Sequence, residues 1–194
     1  MNSSKRALSI VSLLLLTTLL SSCTTLLNAT TDDPIQLHPG KRTWGAMLDD
    51  EQLETIAQVN INKASPELDL AHINVVSYNG IVLLTGQVSS GEQRSLAGST
   101  VNKIPKVRQV FNEIQVQGQT SVLARTNDSW LTTKVKTILL ANKDVNSGRI
   151  KIVTESGVVY LMGLLSRIEA DRVAQLISAT GGVQKVVKAV EYID

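Results

Sequence analysis

The chain repeats itself, and the repeat limits what it can fold into. Residues 73–86, INVVSYNGIVLLTG, lie over residues 150–163, IKIVTESGVVYLMG, at an offset of 77 with both glycines coinciding. Further on, Val107–Ile114 lies over Val183–Val190 at an offset of 76, so one residue is missing from the intervening loop of the second copy. Self-similarity at a fixed spacing marks one structural unit used twice. Each copy has roughly 70 residues, close to the lower limit for an independent core. Such a unit has room for one small sheet and a few helices.

Both copies carry the same pattern. An acidic residue opens a helix, Asp49 or Asp50 in the first copy and Asn127-Asp128 in the second, as expected where negative charge meets a helix N-terminus. Two runs of alternating apolar residues follow, 73–77 with 81–88 and 150–154 with 158–165. They are joined by Asn79-Gly80 and Ser156-Gly157, pairs suited to tight hairpin turns because glycine takes positive φ without penalty. A second helix begins at Ser90 and at Ser166, the latter with Glu169 at capping-box spacing. It stops before Pro105 in one copy and at Gly181-Gly182 in the other. A last strand runs over 107–116 and 183–193. The order α-β-β-α-β, twice, predicts an α+β fold with two helices packed on one face of a small three-stranded mixed sheet in each copy.

The N-terminus is of another kind. Lys5 and Arg6 precede an apolar run, Ala7–Leu20, and then Ser21-Ser22-Cys23, the only cysteine in the chain. The run is about fourteen residues, short of the roughly twenty that a membrane span needs. It has the layout of a cleaved signal segment, and Leu20-Ser21-Ser22-Cys23 resembles the lipobox of bacterial lipoproteins. That resemblance implies a diacylglyceryl group on Cys23, cleavage before it, and acylation (palmitate or a similar chain) of the new amine. Several acyl chains hold a protein stably where one does so only marginally. Thr24, in place of an aspartate, implies sorting to the inner leaflet of the outer membrane, facing the periplasm. Residues 1–22 thus read as the signal peptide and 23–46 as lipidated cysteine and tether. The repeats occupy 47–117 and 126–194, with a linker over 118–125. Loss of Lys5 and Arg6 leaves the mature chain neutral, since the precursor has 19 basic and 17 acidic residues. Neutrality gives no support to nucleic-acid binding.

The element order, a glycine in each hairpin, Val/Leu-x-Gly in the second strand and Val-x-x-Val opening the last together resemble the BON domain, a small module of bacterial envelope proteins. A lipobox, a tether and two such units resemble the dual-BON outer-membrane lipoproteins, and Asn127–Val135 is especially similar to them. The resemblance implies a phospholipid-binding protein of the cell envelope, associated with cell division and envelope integrity.

The first helix of the second copy carries the candidate site. At 100° per residue, Leu131, Val135 and Ile138 share one side and face the sheet. Trp130, Thr133, Thr137 and Leu140 form a separate stripe flanked by Lys134 and Lys136, with Lys143 at the helix end. A tryptophan and leucines beside lysines suit an anionic membrane interface: the indole keeps a wet N–H and the ammonium groups meet phosphates. The expected lipid contacts are Trp130, Lys134, Lys136, Leu139, Leu140 and Lys143. Leu53, between Glu51 and Glu54, takes the place of Trp130 in the first copy. Residues 46–118 hold eight acids and five bases and residues 126–194 seven and nine, so an anionic surface favours the second copy. The alternative is a periplasmic adaptor that binds an envelope protein partner through the same face or exposed strand edges. Enzyme chemistry finds no foothold. His38 and His72 have no cysteine or acidic cluster at ligand spacing, so no metal, cofactor or catalytic residue is assigned. Gly181-Gly182 follows a helix rather than preceding one and reads as a stop.

If Cys23 carries the anchor, Cys23→Ser leaves the precursor uncleaved and unacylated. Normal processing and membrane retention of that variant, followed by gel mobility and fractionation, contradict the lipoprotein reading.

Overall fold

A computed structural model describes residues 40–117 and 122–194, with backbone alone over 122–125. The signal segment, Cys23, His38 and most of the tether lie outside the described residues. The first copy runs α1 (Trp44–Ala64), a single-turn α2 (Pro66–Asp69), β1 (His72–Tyr78), β2 (Ile81–Val88), α3 (Gly91–Asn102), β3 (Gln109–Asn112) and β4 (Gln115–Val116). The second runs α4 (Val122–Ala141), a 3-10 turn (Ser147–Arg149), β5 (Ile150–Glu155), β6 (Val158–Leu165), α5 (Arg167–Ser178) and β7 (Lys185–Tyr192). In each, a hairpin pairs antiparallel and the last strand joins its second strand in parallel. The parallel step needs a crossover, which α3 and α5 supply. The expected α-β-β-α-β order and mixed sheets are what the chain forms.

Both turns have two successive positive-φ residues, Asn79 (53°) with Gly80 (76°) and Ser156 (51°) with Gly157 (75°). This is the I′ geometry whose twist matches a hairpin. The second crossover helix opens on the full capping box. Glu169 N–H donates to Ser166 Oγ, and Ser166 N–H donates to Glu169 Oε2.

The acidic residues do something other than open their helices. α1 begins at Trp44, with Thr43 Oγ1 accepting from Ala46 N–H at 3.1 Å, and α4 begins at Val122, inside the segment expected to be a linker. Asp50 and Asp128 therefore stand at the seventh helical position, where the N-terminal dipole has faded. Each carboxylate instead holds the hairpin turn of its own copy. Asn79 and Gly80 N–H donate to Asp50 at 2.7 and 2.9 Å. Ser156 and Gly157 N–H donate to Asp128 at 2.7 and 2.8 Å. Asp50 also accepts from Ser77 Oγ and from Arg42, both at 2.7 Å. Burial alone would raise the Asp50 pKa. The Gly80 amide, Ser77 hydroxyl, Arg42 and Asn79 amide outweigh it and hold the carboxyl below its ordinary value.

Three apolar cores result. One lies between α1, α3 and the first sheet, around Leu53, Ala57, Ile61, Val82, Leu84 and Val101. A second repeats it with Leu131, Val135, Leu139, Val159, Leu161 and Ile177. The third is built from the opposite faces of both sheets: Val76, Tyr78, Ile81 and Leu83 meet Val153, Tyr160, Met162 and Leu164. The two domains thus pack sheet against sheet, and both helix layers are outermost. Fully burying a side chain of this size contributes about 1.5–3 kcal/mol, whereas an exposed ion pair contributes about 0–1. The apolar contact, not the ion pairs at its edge, holds the domains together. Those polar contacts fix its register. Arg108 grips Glu191 through two bonds of 2.6 Å, Lys151 reaches Glu54 at 2.8 Å, and Tyr78 Oη donates to the Arg149 carbonyl at 2.9 Å. Hydrogen bonds from Arg108 hold Glu191 below the ordinary carboxylate range.

Asp128→Ala removes both acceptors from the second turn and leaves two N–H groups unpaired. A loss of about 3 kcal/mol in unfolding free energy is expected, read by chemical denaturation. A loss under about 0.5 kcal/mol contradicts the structural role assigned to this carboxylate.

Candidate functional site

The turn contact fixes how α4 is rotated. With Asp128 aimed at the hairpin, Leu131, Val135 and Leu139 follow at helical spacing on the sheet-facing side, all buried. The outward side then carries Trp130, Thr133, Thr137 and Leu140, all exposed. Trp130 is 58% exposed and Leu140 71%. The stripe is more apolar than its composition suggests. Thr133 and Thr137 donate their hydroxyls to the carbonyls of Ser129 and Thr133 at 3.0 and 2.9 Å, so both are satisfied within the helix.

The lysines divide into two kinds. Lys134 Nζ lies 4.9 Å from the centre of the Trp130 ring and donates to the Gly181 carbonyl at 2.9 Å. It props the indole and ties α4 to the loop before β7. Lys136 and Lys143 are exposed, and among the described residues neither makes an ion pair. They are the charges free to meet an anionic ligand. At the C-terminal end of α4 a cleft of about 240 Å³ opens between Lys136, Leu140, Ser147, Gly148 and Ile150, with Leu139 and Ile152 also lining it.

Two expectations need correction. Leu139 is a core residue, 2% exposed, not a surface contact: it continues the row from Leu131 and Val135, a place expected for Ile138, which is half-buried. The copies also align differently along the first helix. Since Asp50 and Asp128 perform the same task, the helix offset is 78, and Leu53 matches Leu131 in the core. Trp130 corresponds to exposed Gln52. At that position the first domain has no indole; its exposed tryptophan, Trp44, stands two turns earlier, at the start of α1.

His72 opens β1 half-buried, with Nε2 3.9 Å from Glu155 Oε1, and Glu155 accepts from Gln87 Nε2 at 2.6 Å between the sheets. This polar contact belongs to the domain interface. Among the described residues no group of three or more His, Cys, Asp or Glu could hold a metal ion.

Two fused copies of a small mixed sheet under helices, four-stranded in the first and three-stranded in the second, with a turn-binding acid in each first helix, define a duplicated α+β module. The chain belongs to the BON domain family, which matches residues 49–118 and 127–194. It is 38% identical over 152 residues to the 21 kDa hemolysin of Actinobacillus pleuropneumoniae, spanning 78% of each chain. It is 35% identical over 153 residues to the outer membrane lipoprotein DolP of Haemophilus influenzae, spanning 79% of each. A weaker likeness, 31% over 117 residues, covers 59% of this chain and 58% of the osmotically-inducible protein Y of Escherichia coli.

Leu139→Ala and Leu140→Ala separate the two sides of α4. The first creates a core cavity and costs about 2–5 kcal/mol; the second changes stability by less than about 0.5 kcal/mol. Thermal or denaturant melting of both variants checks the rotation of the helix, and equal effects contradict it.

Proposed function

We propose that this is a non-enzymatic, lipid-anchored protein of the outer membrane that faces the periplasm and binds anionic phospholipid through the outward side of α4, supporting envelope integrity at the division site. The observation that carries the reading is an exposed tryptophan and leucine, one helical face apart from the core row, flanked by exposed Lys136 and Lys143. Trp130 supplies an apolar body for the acyl-glycerol boundary and an N–H for the headgroups. Each lysine near an anionic bilayer contributes about 1 kcal/mol. Individually these terms are small, so binding depends on their being on one rigid face. Support for the location comes from the Haemophilus relative, itself named an outer membrane lipoprotein, and from Leu20-Ser21-Ser22-Cys23.

Sedimentation of the unlipidated chain with vesicles tests the reading. Vesicles rich in phosphatidylglycerol should retain the protein and phosphatidylcholine vesicles should not. Trp130→Glu should cut retention at least tenfold while the circular dichroism melt stays within a few degrees. Lys136→Gln with Lys143→Gln should weaken binding most at low salt, because exposed charges are screened over about 8–10 Å at ordinary ionic strength. A folded Trp130→Glu protein that still binds anionic vesicles refutes the assignment and favours an adaptor role for the same surface.

A further inference from the structure

The two copies close the same corner differently. In the first, the chain leaving α1 makes the single turn α2. Ser65 Oγ caps it by accepting from Leu68 N–H at 3.2 Å, and Pro66 takes its first position. The turn drops Leu68 into the core, fully buried in one cluster with Ile61, Ile73 and Val75. Their counterparts are Leu139, at the helix offset of 78, and Ile150 and Ile152, at the strand offset of 77. In the second copy these three line the cleft of about 240 Å³ at the end of α4.

The plug is missing there for a reason written in the sequence. The connection is one residue shorter, and Asn142-Lys143-Asp144-Val145 stands where the first copy has Ser65-Pro66-Glu67-Leu68. No helical turn forms over it, and Asn142 Oδ1 accepts from Asp144 N–H at 3.0 Å instead. Val145, in the place of Leu68, is smaller and only half-buried, and Ile150 is half-buried where Ile73 is buried. The second domain thus leaves open an apolar socket that the first fills with a leucine.

The lining has two polar side chains, Lys136 and Ser147. A peptide laid into the socket brings backbone N–H and C=O groups that two side chains cannot satisfy. A hydrocarbon chain brings none. The socket is also continuous with the outward side of α4, because Leu140 and Lys136 belong to both.

We propose that the cleft takes one acyl chain of an anionic phospholipid, with Lys136 against its phosphate, so that the protein holds a single lipid molecule as well as resting on a surface. The chain supplies the contacts that Leu68 makes in the first domain. The proposal rests on the lipid reading of α4 for its headgroup contact and adds the place of the chain.

The test uses the unlipidated chain and lysophosphatidylglycerol with chains of eight, ten and twelve carbons, each below the concentration at which it forms micelles. Titration followed by methyl NMR should give saturable one-to-one binding that shifts Leu139, Ile150 and Ile152. Affinity should rise up to about fifteenfold for each two carbons added, since each buried methylene contributes about 0.8 kcal/mol. Lysophosphatidylcholine of equal length should bind at least fivefold more weakly, and Lys136→Gln should remove that preference. Gly148→Leu refills the cleft from its rim. A Cβ there meets only Asn146 Oδ1, at 3.5 Å, so the fold is kept, and affinity for the ten-carbon lipid should fall at least tenfold. Trp130→Glu should lower vesicle retention yet leave the ten-carbon affinity within about threefold, because Trp130 does not line the cleft. Two results overturn the proposal and leave the lipid reading standing: retention on phosphatidylglycerol vesicles without chain-length-dependent binding, or a folded Gly148→Leu protein that binds the ten-carbon lipid as its parent does. Cleft binding together with vesicle retention that survives Trp130→Glu upholds the proposal and refutes the part given to Trp130.

Discussion

A carboxylate in the middle of a helix organises each domain. Asp50 and Asp128 are placed where no helix needs them, and both reach across to the two amides of a hairpin turn. A I′ turn points its central N–H groups away from the ladder, so burial against a helix would leave them unpaired at about 1–3 kcal/mol each. The acid removes that cost and in doing so fixes the rotation of the helix over the sheet. Everything at three-, seven- and eleven-residue spacing from it falls into the core: Leu53, Ala57 and Ile61 in one copy, Leu131, Val135 and Leu139 in the other. What lies opposite is thereby fixed as well. Trp130 is exposed because Asp128 is engaged.

The second constraint is between the domains. β2 and β6 are buried along nearly their whole length, one face under helices and the other against the partner sheet. That is a central layer of protein interior, and the described residues of both domains form one compact unit around it. Within it, burial pushes the Tyr160 hydroxyl up to about 12, helped by the Glu113 and Glu155 carboxylates, so the ring stays neutral in the sheet interface. The arrangement exports all amphipathic character to the helix layers. Surface chemistry is therefore read on the helix layers and not on the faces of the sheets.

Local features were legible in the sequence because their causes are local. Asn79-Gly80 and Ser156-Gly157 form the turns their residue types favour, and Ser166 with Glu169 forms its capping box. The role of the two aspartates was not legible, since their turn partners lie 28 to 30 residues away and an acid near a helix start reads first as a dipole partner. Carrying the strand offset of 77 into the first helices, where the aspartates set it at 78, placed Leu53 opposite Trp130, and counting Ile138 into the core row left Leu139 on the surface. The sheet-to-sheet packing did leave a trace. Ile81-Val82-Leu83-Leu84 and Val158-Val159-Tyr160-Leu161-Met162 are continuous apolar runs rather than alternating ones, the pattern of strands covered on both faces. Read for that, they predict a second sheet against the first.

The chain enters the first domain through contacts with both domains. Arg149 of the second domain donates through Nε to the Gly40 carbonyl at 2.9 Å, through a terminal nitrogen to the Leu164 carbonyl at 2.8 Å, and pairs with Glu169 at 3.2 Å. Arg42 then stacks on Tyr78, 4.0 Å from its ring, and bonds Asp50. The entering chain is pinned at the junction of the two domains, not at the end of a free helix. Pinning the chain there leaves the outward faces of both long helices exposed, with Trp130 and Leu140 on α4 and Trp44 and Leu48 on α1.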